Sequence, residues 1–75
     1  MLLSEKNIDE ISLGLSVISA KGTPGKVTNI VKEEDNHKKE PQLRVRYDTI
    51  HIDWETGNKS IVFHMQADSI KIKED

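Results

Sequence analysis

His51, Asp53 and His64 are the side chains of this chain best suited to chemistry. His51 and Asp53 lie two residues apart in the alternating run Ile50-His51-Ile52-Asp53-Trp54, so an extended backbone puts both on one face. His64 closes a second alternating run that begins after Gly57-Asn58. If the two runs pair so that the imidazoles meet, their Cβ atoms are separated by roughly 5 Å. Two nitrogens and a carboxylate oxygen are then available to a zinc or nickel ion. Without a metal, such a pair responds to pH, because two adjacent imidazolium charges repel. The competing reading is two solvated histidines on an exposed sheet face.

Covalent chemistry has little to work with. There is no cysteine, hence no thiolate nucleophile, disulfide or thiolate metal site. No serine sits in a strained elbow motif. Gly22-Thr23-Pro24-Gly25-Lys26 lacks both the spacing of a phosphate-binding loop and a following helix. The expectation is a non-enzyme without a cofactor.

Binding has more candidates. Arg44 and Arg46 share an outward face in an alternating reading, as do Lys71 and Lys73, and Lys26 follows the glycine-rich turn. These cations could touch phosphates or an acidic partner, or simply form a polar exterior. No aromatic is interleaved with them, so the stacking platform of a single-strand binder is missing. The formal net charge of −2 also argues against a strongly phosphate-driven module. Trp54, the single tryptophan, stands beside a turn and is either a rim anchor for a partner or a core residue closing one end of the fold. Tyr47 has the same two readings.

The elements that must position these groups are strands. Gly57-Asn58 between two alternating runs reads as a two-residue hairpin turn. That register sets Trp54 opposite Ile61, Ile52 opposite Phe63, Ile50 opposite Met65 and His51 opposite His64. A turn centred on Thr56-Gly57 would instead set His51 opposite Val62. Upstream, residues 15–20 and 26–32 read as strands, the second with a bulge near Asn29 because its apolar spacing breaks alternation. Residues 42–48 read as a third strand, with Leu43, Val45 and Tyr47 inward and Arg44 and Arg46 outward. The apolar phase shifts after Asp48, which calls for a bulge or sharp bend. Residues 33–41 form a highly charged loop. Residues 1–12 form a short helical segment, capped by Ser4 or Asn7 and ended by Gly14. A single turn over residues 65–69 leads to a last strand with Ile70 and Ile72 inward.

Seventy-five residues make one domain near the lower limit for a self-supporting core. Five or six short antiparallel strands with one short helix predict a mainly β fold, a small barrel. Nothing at the N-terminus reads as a signal peptide and no apolar run is long enough to span a membrane, so a soluble cytoplasmic protein is expected.

Several segments resemble the SH3-like barrels, the KOW and Tudor-type group in particular. They are Gly14-Leu15-Ser16-Val17, Gly22-Thr23-Pro24-Gly25-Lys26-Val27-Thr28-Asn29-Ile30, Val45-Arg46-Tyr47-Asp48, Trp54-Glu55-Thr56-Gly57 and Asp68-Ser69-Ile70-Lys71-Ile72. KOW kinship implies RNA or ribonucleoprotein contact through Lys26, Arg44 and Arg46. Tudor kinship implies an aromatic cage for a methylated side chain, but only Tyr47, Trp54 and Phe63 are at hand, and alternation turns all three inward. The expectation is therefore a protein-binding module, with RNA contact and a metal- or pH-responsive histidine pair as alternatives. It would be a monomer or a weak homo-oligomer, engaging its partner by a strand edge or by the rim around Trp54.

Overall fold

The computed structural model describes residues 1–34, 40–43 and 46–73. They form an antiparallel sheet of five strands: β1 (Ser16–Ile18), β2 (Pro24–Val31), β3 (Thr49–Trp54), β4 (Lys59–Phe63) and β5 (Lys71–Ile72). The order is β4-β3-β2-β1-β5, a serial meander whose last strand returns to the first. β4 and β5 end the sheet and do not pair with each other, so it is open. The all-β expectation holds at that level.

β1 and β2 are joined through Ser19. Its hydroxyl accepts hydrogen bonds from the backbone N–H groups of Lys21 and Thr23, and Ser19 N–H donates to Thr23 O at 2.9 Å. β2 then runs along β3 with a register break between Val27 and Asn29. Thr28 is the extra residue, and its hydroxyl donates to His51 O. The expected bulge is present for the reason its spacing gives. Val27 and Ile30 are three residues apart, and both can face the core only if one residue between them is unpaired.

The β3–β4 hairpin differs from expectation. Its loop has three residues, not two. Trp54 N–H donates to Asn58 O at 2.8 Å and Gly57 N–H to Trp54 O at 2.9 Å, with Gly57 at φ +93°. This is a tight turn followed by a left-handed residue, a conformation glycine adopts without the steric cost of a Cβ. The resulting pairs are Ile50 with Val62, His51 with Ile61 and Ile52 with Ser60. Relative to the two-residue turn, β4 slides by an odd number of residues, which turns its faces over. Ser60 and Val62 face the core side, whereas Ile61 and Phe63 are exposed.

Two further expectations are corrected. The N-terminal segment is not an α-helix but two 3₁₀ turns, Leu3–Glu5 and Ile8–Glu10, with Asn7 Oδ1 accepting from Asp9 N–H at 2.9 Å. Segments this short cannot hold an α-helix on their own, and their apolar residues are placed by docking. The expected third strand is also absent among the described residues. Pro41–Leu43 is a 3₁₀ turn, the chain bends at Arg46 and Tyr47, and β3 begins only at Thr49. The phase shift after Asp48 marks a strand start, not a bulge inside a strand. Arg44 and Val45 lie outside the described residues.

The core sits on one face of the sheet. Val17, Val27, Ile50 and Ile52 come from the strands, and Leu3, Ile11, Ala67 and Ile70 come from the flanking turns. Leu3, Ile50 and Ile52 are wholly buried. The 3₁₀ turn His64–Gln66 leads from β4 toward β5 and packs on the first turn of the chain. No described helix is long and apolar enough to cross a membrane.

Candidate functional site

The register disposes of the histidine pair. His51 stands opposite Ile61, and His64 lies beyond the end of β4. The His64 ring is taken up locally, with Nε2 2.7 Å from Lys6 O and the backbone N–H donating to Asp48 O at 2.9 Å. It pins the N-terminal segment to the turn after β4. Asp53 is cross-strand to Lys59 and Lys26. Among the described residues no three histidine, cysteine or carboxylate side chains could hold a metal ion. The cross-strand pairing of His51 with His64, on which the three-ligand site and its pH response rested, is therefore not formed.

The cations are dispersed too. Lys26 borders an open depression of about 460 Å³ together with Asp53, Glu55 and Lys73, a mixed-charge lining. Arg46 borders a different one, of about 180 Å³, with Glu33, Asp48 and His64. Lys26 and Arg46 therefore do not form one basic patch, and Arg44 is outside the described residues.

Trp54 is the best-anchored candidate. Its indole lies against the backbone of Gly25 on the neighbouring strand, where a Cβ would come within 2.5 Å of Trp54 Cε3 and 3.0 Å of Asp53 O. Its Nε1–H donates to Ser60 Oγ at 2.7 Å. The ring is half-buried, packs on the core edge, and forms a wall common to the 460 Å³ depression and another of about 470 Å³ near Ser19 and Asn58. Both readings of Trp54 thus meet in one residue: part core, part rim.

The residues that alternation misplaced are the most conspicuous. Ile61 is 67% exposed, Met65 63%, Tyr47 42% and Phe63 40%. Tyr47 and Phe63 touch edge to face, with ring centroids 5.4 Å apart. Together they make an apolar surface along the outer face of β4 and the turn that follows it. A methyl-binding cage is not assembled from them. Trp54 occupies the opposite end of β3 from the Thr49–Phe63 pair and faces the other side of the sheet. The signal that would have revealed this surface is Trp54-Glu55-Thr56-Gly57, where a glycine in fourth place suits a three-residue loop and reverses the parity of β4.

Compared with protein-family models, curated proteins and solved structures, the chain matches none.

Proposed function

We infer that this protein is a non-enzymatic protein-interaction module of SH3-like architecture, which engages its partner through the outer face and edge of β4. The observation that carries this reading is the apolar surface of Ile61, Phe63, Met65 and Tyr47. Isolated exposed apolar residues are ordinary, but a contiguous group beside a sheet edge is the usual mark of an interface. Aromatic and methionine side chains are also those enriched at the centre of such interfaces. The meander supports the architectural part, since a last strand returning to the first is the connectivity by which a short sheet curls toward a barrel. Mixed charge around Lys26, and its separation from Arg46, give the RNA alternative less support.

Replacing Ile61 and Phe63 together by serine tests the reading. Ile61 is largely exposed, so its replacement should change folding stability by no more than about 0.5 kcal/mol. Phe63 also gives up its edge-to-face contact with Tyr47, about 0.5–1.5 kcal/mol. Specific cross-linking to proteins of a native extract should be lost. Equal cross-linking by the two forms would overturn the proposal. Retention of RNA at low salt, reduced by Lys26→Ala and Arg46→Ala and abolished by added salt, would replace it with the RNA alternative.

A further inference from the structure

The two ends of the sheet are treated differently. β5 has two residues, and its outer side is occupied: Ile72 N–H donates to Met1 O at 2.9 Å, Leu3 N–H donates to Ile70 O at 2.8 Å, and Leu2 bridges Lys71. β4 has five residues in an unbroken ladder with β3, contains no proline or bulge, and has no strand paired on its outer side among the described residues. Edge strands are commonly protected by shortness, proline, bulges or a covering segment. β5 has two of these protections and β4 has none of them, its one other safeguard being the charge of the lysine at its start.

The hydrogen-bond phase fixes what β4 offers. Trp54 and Asn58 are bonded across the hairpin, and His64 N–H reaches Asp48 O. In an antiparallel ladder the bonded positions recur every second residue, so residues 58, 60, 62 and 64 point their backbone groups at β3. Lys59, Ile61 and Phe63 therefore point theirs outward. We propose that this edge pairs with the same edge of a second copy of the chain, antiparallel about a two-fold axis at Ile61.

The argument for a second copy is self-complementarity. With the axis at Ile61, Lys59 meets the partner's Phe63, Phe63 meets the partner's Lys59, and Ile61 meets the partner's Ile61. Every position whose N–H and C=O point outward meets another such position, giving roughly six new backbone hydrogen bonds. Lys59, the only charged residue of β4, lies off the axis, so like charges are not set opposite each other. The residue on the axis is Ile61, the most exposed of the apolar group. An isologous contact of this kind needs one surface patch that fits itself. This inference rests on the proposed interaction role and names its partner.

Sedimentation equilibrium of the full chain from micromolar to millimolar concentration provides the test. The expected result is a reversible monomer–dimer equilibrium that Ile61→Lys weakens at least ten-fold, without change in circular dichroism. Ile61→Cys provides a positional check, because the chain has no other cysteine. Paired positions bring Cα atoms to about 5.5 Å, within the span of a disulfide. Mild oxidation should yield a covalent dimer, and Leu13→Cys, equally exposed but off the edge, should not. A chain that is monomeric throughout, or a dimer indifferent to Ile61→Lys, overturns the self-pairing. If the monomeric chain still loses its cross-links on serine replacement, only the second copy as partner fails. If serine replacement alters nothing either, the interaction role fails with it.

Discussion

At the scale of single residues, the tightest arrangement is the one between Gly25, Trp54 and Ser60. The indole sits where a side chain on Gly25 would be, and the bond from Nε1 to Ser60 Oγ stops the ring from swinging away. Gly25→Ala is therefore expected to overpack this contact and destabilise the fold by about 1–3 kcal/mol, read from urea unfolding. The same substitution should alter the emission spectrum of the single tryptophan, because the ring must shift to admit the methyl group. In sequence, Gly25 reads as one more residue of a dense turn signal, since what it makes room for comes from a strand 29 positions away in the chain. Trp54 was legible as a candidate because of its type. Its partner was not, because a close backbone approach leaves no local mark. His64 shows the reverse: its type suggested a ligand, yet its ring is used to hold the Lys6 carbonyl.

At the scale of elements, burial was readable wherever alternation met a core. Ile50 and Ile52 on β3, Val17 on β1 and the bulge on β2 all follow from which apolar positions must face one way. Register across a hairpin was not readable from alternation, because alternation says only that two sides exist. The loop decides which side of β4 joins the core, and one residue in its length reverses the answer. This sets up a direct comparison. Ile52→Ala should cost about 2–5 kcal/mol, as for a fully buried aliphatic side chain, while Ile61→Ala should fall within about 0.5 kcal/mol of the parent. Comparable losses at the two positions in chemical denaturation would contradict the three-residue loop. Residues 42–48 teach a related lesson. Alternation over a short charged stretch indicates a strand only if something lies on either side to pair with it, and the described part of this stretch bends and turns instead.

At the scale of the whole molecule, the core is small and gathers residues from both ends of the chain. Leu3 is wholly buried, and its backbone is bonded to Ile70. In a domain of this size a core supplies roughly 3–5 kcal/mol, and removing a buried leucine side chain costs about 2–5 kcal/mol. Leu3→Ala should accordingly use up most of that stability and leave a sizeable unfolded fraction at room temperature, a loss visible in its far-ultraviolet dichroism. A spectrum matching the parent would show that the first turn merely rests on the sheet. The strip formed by residues 1–3 along β5 has one more implication. A sheet with two bare margins could add neighbours on both sides and grow without end into a fibre. With one margin covered by residues 1–3, the proposed strand addition through β4 would use up the margin left open among the described residues, and growth would stop at a pair.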